Sequence, residues 1–336
     1  MRMKIAVLGG GAWGSVLATM LAEPHHDAQH DVALWESDPA AARALETDRR
    51  GPRSLPGHTL PMNVAVTPQL GTAVNGCALV VVAVPSETVR ATLAAARAGL
   101  PSPVTVVCAS KGLEAGTAAT MDRVIEESLP AASVVLLSGP TFAQEIARGL
   151  PAAVVAASRD RAAAELARAC FGNERFRVYT SDDVVGVAIG GALKNVIAIA
   201  VGCCDGFGFG NNARAALITR GLAEMSRLAA RLGADPLTLA GLAGLGDLVL
   251  TCTGELSRNR QVGLALARGE ALPAILASLG HIAEGIGTAA TARALADRLG
   301  VDMPITRSTA AVLHDGKPAR QVVTELLSRG AGAERG

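Results

Sequence analysis

An α/β fold, with a doubly wound, largely parallel sheet followed by an all-helical second domain, is predicted by three observations. A β-branched run near the start leads straight into glycines at G-x-G-x-x-G spacing and then into an apolar helical pattern. Strand-like and helix-like runs then alternate as far as Thr180. Beyond Thr180 the strand-like runs largely stop, and helical patterns punctuated by Gly or Pro take over. Alternation at this spacing implies parallel strands with helices on both faces. A chain of 336 residues accommodates two domains. Their expected limits are 1–182 and 183–330, with 331–336 as a frayed tail.

Composition narrows the function classes. Half of the residues are hydrophobic and few are aromatic, so the core is built from Ala, Val, Leu and Ile. A net charge of +1 gives no field to steer the chain toward nucleic acid or an anionic membrane. The six cysteines lie mostly in apolar runs without metal-ligand spacing, as reduced thiols of a cytoplasmic protein do. Met1-Arg2-Met3-Lys4 before an apolar run imitates a secretory signal, but no small-x-small cleavage site ends it cleanly. A cytoplasmic location without membrane insertion is expected.

Residues 4–8 form the first strand, and Gly9-Gly10-Gly11-Ala12-Trp13-Gly14 follows at once. In the order strand, G-x-G-x-x-G, helix, these glycines are a dinucleotide fingerprint, which makes the sheet Rossmann-like. Gly9 allows the tight turn, Gly11 lets a pyrophosphate approach the backbone, and Gly14 lets helix pack on strand. Residues 31–36 read as the second strand, ending in Glu36, an acid placed for ribose hydroxyls. Ser37 follows, and Arg43, Arg49 and Arg50 lie downstream, where a 2′-phosphate would want donors. The cofactor is therefore NAD or NADP, with NAD modestly favoured.

Strands follow at 78–84, 104–108, 133–137, 152–157 and 176–180, with helices at 87–98, near 118–128, and up to Cys170. Ligands of such sheets collect beyond the carboxyl ends of the strands. Lys111 and Gly139-Pro140-Thr141 lie at such ends, Pro140 being placed for a first helical turn. Lys111 reads either as a solvated loop lysine or as a ligand group. Thr141 reads either as a plain N-cap or as a hydroxyl for a ligand.

The stretch 184–204, VVGVAIGGALKNVIAIAVGCC, has the length of a membrane span. A lysine at its centre and four glycines argue instead for a buried helix at the seam between the domains. Lys194 there either snorkels to a polar seam or, desolvated, serves as a proton acceptor. Helices are expected at 213–232, 235–240, 260–268, 272–279, 287–299, 303–314 and 317–328. Residues 243–248 read as a glycine-framed loop carrying Asp247, either a cap or a partner for Lys194. Ser257-Arg258-Asn259-Arg260 opens a helix, with Ser257 as N-cap. Cations sit badly at that end of a helix dipole, so an anion is expected there: a phosphate cradle. Nicotinamide, buried lysine and phosphate cradle together suit hydride transfer to or from the carbinol carbon of a small phosphorylated alcohol.

These residues carry a resemblance. From end to end the chain resembles the bacterial NAD(P)-dependent sn-glycerol-3-phosphate dehydrogenases. The matching motifs are 9–14 with Trp13, 110–114 (SKGLE), 138–143 (SGPTFA), 190–198 (GGALKNVIA), 211–227 (NNARAALITRGLAEMSR), 244–253 (GLGDLVLTCT) and 257–260 (SRNR). The resemblance implies interconversion of dihydroxyacetone phosphate and sn-glycerol 3-phosphate, supplying glycerophospholipid synthesis, with Lys194 as proton acceptor. It implies that Lys111, Gly139, Thr141, Lys194, Asp247, Ser257, Arg258 and Asn259 surround the substrate. It implies further that Ala12, Trp13, Ser37, Lys111, Ala143, Arg258, Ile282 and Glu284 touch the cofactor. A homodimer is suggested only by this resemblance. A two-domain hydroxy-acid dehydrogenase would share the sheet and the lysine but not the phosphate cradle. A nicotinamide-sensing protein without activity would need neither Lys194 nor Asp247.

Overall fold

The computed structural model describes residues 2–23, 29–279 and 283–328. Ile282 and the tail 331–336 lie outside them. The strands are β1 (Lys4–Leu8), β2 (Asp31–Trp35), β3 (Val64–Thr67), β4 (Leu79–Val82), β5 (Thr105–Cys108), β6 (Ser133–Ser138), β7 (Ala152–Ala157) and β8 (Phe176–Ser181). They form one sheet in the order β3-β2-β1-β4-β5-β6-β7-β8. Only β6 and β7 pair antiparallel. The connection between them, 139–151, holds a five-residue helix, too little for the crossover that parallel neighbours need. Strand order reverses between β1 and β4, and the crevice beyond their carboxyl ends is where such sheets hold ligands.

Helices α1 (Ala12–Ala22), α2 (Pro39–Asp48), α3 (Leu70–Val74), α4 (Val89–Ala96), α5 (Met121–Ser128), α6 (Ala143–Ala147) and α7 (Arg161–Phe171) flank the sheet. Two apolar clusters form, around Ile5, Leu17 and Leu34 and around Leu8, Val80 and Leu93. Residues along a single strand divide between them, Ile5 and Val7 to one and Ala6 and Leu8 to the other. Period-two alternation of side chains requires this of a sheet covered on both sides. Helix α2, strand β3 and helix α3 are additions to the elements expected from the sequence.

After β8 the described chain is helical: α8 (Val184–Gly206), α9 (Gly210–Arg231), α10 (Pro236–Ala240), α11 (Asp247–Thr253), α12 (Arg258–Ala267), α13 (Leu272–Leu279), α14 (Glu284–Leu299), α15 (Pro304–His314) and α16 (Ala319–Ser328). Asp183 caps α8, its carboxylate accepting from the Gly186 N–H. Among the described residues α8 is the one helix with the length and hydropathy of a membrane span, yet 83% of its most apolar window is buried in this protein. Helices α9, α11, α12, α14 and α15 all pack on it. Its glycines explain how closely: a Cβ on Gly190 would stand 2.5 Å from the Ala243 carbonyl oxygen, and one on Gly202 2.2 Å from that of Arg260. Backbone meets backbone at both contacts.

Two local expectations need correction. Pro140 is not in a first helical turn: α6 starts at Ala143, and Pro140 sits in a bend after Gly139 (φ 145°). Residues 243–248 are not a loop. Leu242–Gly246 forms a π-helical turn that runs directly into α11, with Asp247 as the first residue of that helix.

Candidate active site

The glycine fingerprint sits in the β1/β4 crevice. Gly9 has φ 119°, and a Cβ there would lie 2.7 Å from the Ala83 carbonyl oxygen. A Cβ on Gly14 would fall 1.8 Å from the Gly9 carbonyl oxygen, so α1 starts only because that atom is missing. Gly11 is the contrary case. A Cβ there would meet nothing within 4 Å, and no side chain caps the α1 amides that follow. An open glycine in front of uncapped N–H groups fits a dinucleotide pyrophosphate. Ala12, Trp13 and Ala143 are half-buried against the same apolar cluster, and α1 and α6 are neighbours.

Glu36 follows β2. Its Oε1 accepts from the Ser37 hydroxyl at 3.2 Å and from the Asp38 N–H at 3.0 Å. Its Oε2 hangs over the fingerprint, 2.6 Å from where a Cβ of Gly10 would be. Arg49 is turned away, donating to the carbonyls of Pro61 and Val64. Arg43 and Arg50 are exposed.

At the seam between sheet and helices stand two lysines on one carboxylate. Lys194, in the middle of α8, is 8% exposed, and Asp247 is 1% exposed. Lys194 Nζ donates to Asp247 Oδ1 at 2.5 Å and to Thr251 Oγ1 at 3.1 Å. Lys111 Nζ donates to Asp247 Oδ2 at 2.6 Å and to the Gly139 carbonyl at 3.1 Å. The Lys111 stem lies over Gly191, whose missing Cβ would be 3.5 Å from Lys111 Cγ. Burial pushes the Lys194 ammonium down to about 8; Asp247 opposes this and Lys111 adds to it. Burial alone would raise Asp247, but the charges of Lys111 and Lys194 and their hydrogen bonds outweigh it and hold the carboxyl below its ordinary value. The cluster is thus an ionised carboxylate between two amines, one of them poised to exchange a proton near neutrality. Thr141 is next to it, its hydroxyl donating to the Gly139 carbonyl at 3.1 Å.

The first turn of α12 forms the third part. Ser257 is its N-cap, Oγ accepting from the Arg260 N–H at 3.2 Å. Arg258 is exposed, with no hydrogen-bond or ion-pair partner among the described residues. Asn259 turns inward: Nδ2 donates to Asn195 Oδ1 at 2.9 Å, and Oδ1 accepts from the Gly285 N–H at 3.1 Å. One of its amide N–H bonds is left over. Glu284, at the start of α14, accepts from Asn195 Nδ2 at 3.4 Å. Burial raises its carboxyl above the ordinary value, while the charges of Arg258, Lys194 and Lys111 pull the other way. One half-buried acid therefore senses all three cations, which brings the α12 turn and the lysine cluster into one electrostatic neighbourhood.

The structure gathers Lys111, Gly139, Thr141, Lys194 and Asp247 in direct contact, and connects Asn259 and Glu284 to Lys194 through its neighbour Asn195. Thr251 and Asn195 were not singled out from the sequence. Thr251 stands four residues after Asp247, so on a helix both face the same side. Reading 243–248 as a loop hid that spacing. Asn195 adjoins Lys194 in a helix nearly all of which is buried, which was its signal.

A glycine turn that fits a dinucleotide at the switch point and a buried lysine beyond the same sheet edge fit one class, the nicotinamide-dependent oxidoreductases. Comparison with known proteins narrows it. The N-terminal model of NAD-dependent glycerol-3-phosphate dehydrogenase matches residues 4–164, and the C-terminal model matches 183–324. The chain belongs to this family. It is 50% identical to the glycerol-3-phosphate dehydrogenase [NAD(P)+] of Geobacter metallireducens over 99% of each chain. With that of Methylibium petroleiphilum it shares 51% identity over 99% of this chain and 98% of the other. Among solved structures, the glycerol-3-phosphate dehydrogenase of Coxiella burnetii superposes with a TM-score of 0.93 at 36% identity, covering 98% of this chain and 99% of that one.

Proposed function

We propose that the chain is an NAD(P)-dependent glycerol-3-phosphate dehydrogenase that interconverts dihydroxyacetone phosphate and sn-glycerol 3-phosphate, a cytoplasmic supplier of glycerophospholipid backbones. Membership of the family over nearly the whole chain supports the reaction. The observation that carries the chemistry is the buried Lys194 on Asp247, at the carboxyl edge of a sheet bearing a dinucleotide fingerprint.

The cofactor suits the residues present: Gly9 and Gly14 permit the tight turn and the helix start, Gly11 leaves the way open for a pyrophosphate, Ala12, Trp13 and Ala143 would line its path, and Glu36 with Ser37 would meet the adenine ribose. Lys111, Arg258 and Glu284 complete its surroundings. When bound, the nicotinamide supplies or accepts the hydride. The chain handles the proton. As the substrate carbonyl is reduced, charge develops on its oxygen, and the Lys194 ammonium gives that oxygen a proton. In the reverse direction the neutral Lys194 amine takes the hydroxyl proton. A pKa of about 8 keeps both forms accessible near neutrality. Asp247 holds Lys194 and Lys111 so that two N–H-bearing cations face the developing alkoxide without reorganisation. Ser257, Arg258 and Asn259 hold the phosphate, with Gly139 and Thr141 against the carbon skeleton.

The test is spectrophotometric. Oxidation of NADH and of NADPH is followed with dihydroxyacetone phosphate and with unphosphorylated dihydroxyacetone. Turnover strongly favouring the phosphorylated ketone, with only slow turnover of dihydroxyacetone, is expected. Activity on 2-keto acids in its place, or no turnover with any ketone, refutes the proposal.

A further inference from the structure

The first turn of α12 holds two arginines at the helix end where cations are least welcome, and the structure treats them differently. Arg258 stands exposed without a hydrogen-bond or ion-pair partner among the described residues. Arg260 is half-buried, its Nε at 2.8 Å and its Nη2 at 2.7 Å from Asp205 Oδ2. The other oxygen of the same carboxylate, Oδ1, accepts from Arg214 Nε at 2.7 Å. Arg214 also donates to Asn211 Oδ1 at 2.9 Å, so the opening of α9 is fixed to the same hub.

Asp205 lies in the last turn of α8, and its side chain is 4% exposed. A carboxylate faces unpaired carbonyls at a helix C-terminus, and an acid there is unfavourable on its own. Two guanidiniums offset that conflict and neutralise a buried charge that would otherwise be costly. The hub ties the end of α8 to the starts of α9 and α12. Glycines set the distance: a Cβ on Gly263 would stand 2.1 Å from the Ile199 carbonyl oxygen, and one on Gly202 2.2 Å from that of Arg260. The α12 turn is thereby gripped at two heights of α8. Asn259 bonds Asn195, next to Lys194, and Arg260 bonds Asp205, about 15 Å further along the helix axis.

We propose that Asp205 is a positioning residue for phosphate recognition: by engaging Arg260 and Arg214 it sets the orientation of the first turn of α12 and leaves Arg258 as the cation available to the ligand. The proposal rests on the reading of 257–259 as the phosphate cradle and assigns the second arginine of SRNR and the arginine of NNAR a different task from the first.

The test uses the full chain as Asp205→Asn, Asp205→Glu, Arg214→Gln and Arg258→Ala, assayed with dihydroxyacetone phosphate and with dihydroxyacetone. NADH affinity is followed by fluorescence, and Tm is measured in parallel. In Asp205→Asn the KM for the phosphorylated ketone should rise by up to about a hundredfold, the scale of an ångström-sized misplacement. Saturated turnover, NADH affinity and efficiency with the unphosphorylated ketone should stay near wild type. Asp205→Glu should recover part of the loss. Arg214→Gln, at a more exposed position, should show a smaller rise of the same kind and serves where Asp205→Asn folds poorly. A lowered Tm with unchanged KM, or equal losses with both ketones, overturns the proposal. Failure of Arg258→Ala to separate the two ketones removes the cradle reading itself. Separation by Arg258→Ala without separation by Asp205→Asn removes only the role of Asp205.

Discussion

Replacing Lys111 by methionine should move the pH dependence of the reaction, and the direction follows from the geometry. Lys111 and Lys194 bond the two oxygens of Asp247 at 2.6 and 2.5 Å. Methionine keeps a stem over Gly191 and removes the charge. Two unit charges about 5 Å apart repel by roughly 0.8 kcal/mol in bulk water and roughly 3 kcal/mol at an effective dielectric of about 20. At about 1.4 kcal/mol per pH unit, this amounts to a shift of roughly 0.6 to 2 units. Losing Lys111 also leaves Asp247 with Lys194 alone, which favours the ammonium in the same sense. The pKa of Lys194, about 8 with Lys111 present, should therefore rise. Oxidation of glycerol 3-phosphate needs the neutral amine, so its rate climbs with pH through that pKa. Reduction of dihydroxyacetone phosphate needs the ammonium, so its rate falls through it. In Lys111→Met both limbs should move to higher pH by about one unit, whatever the loss in absolute rate. The assay is kcat against pH in both directions across the neutral and alkaline range. Limbs that stay in place, or move toward acid, refute the electrostatic link between the lysines.

Two further outcomes check other parts of the site. Lys194→Met should lower turnover by about 10²–10⁴-fold while NADH binding, followed by fluorescence, survives; near-normal turnover would place the proton donor elsewhere. Glu36→Gly should raise NADPH efficiency relative to NADH by about five- to thirtyfold, the equivalent of roughly 1–2 kcal/mol of like-charge repulsion. A wild-type enzyme that already prefers NADPH, or an unchanged ratio in the variant, separates Glu36 from cofactor choice.

Much of the fold was legible because the features that carry it are local. The fingerprint needs three glycines at set offsets, and the structure gives two of them a clash that any Cβ would cause. The central strands are continuous apolar runs because both faces of the sheet are covered, so β4 and β5 announce themselves. What stayed hidden was short or amphipathic. Strand β3 is four residues at the sheet edge with every second side chain at least partly exposed, and α2 buries only Ala42 and Leu45. Neither buries enough apolar surface to leave a mark that periodicity can find. The turn 242–246 misled for a different reason. Two glycines in five residues signal a loop by propensity, yet they form helix because α8 is packed against the backbone of this turn, where Gly190 has no side chain. Tertiary contact overrode propensity there.

The site was legible in its charges and not in its partners. Lys194 stood out as the lone cation of an apolar helix, and Arg258 as a cation at the wrong end of a helix dipole. Each is anomalous within its own segment, and burial or an anion is needed to explain it. Thr251, Asn195 and Asp205 are ordinary residues in their segments. Their roles arise from three separations in sequence, 57 residues from Lys194 to Thr251, 64 from Asn195 to Asn259 and 55 from Asp205 to Arg260. All three pairs cross an interface of α8. Two of the α8 members, Asn195 and Asp205, lie about 15 Å apart along its axis, with Lys194 beside the first. A helix that anchors both Lys194 and the turn beside it must be stiff and fully packed. The apolar composition that makes α8 look like a membrane span is what keeps those two anchors at a constant distance.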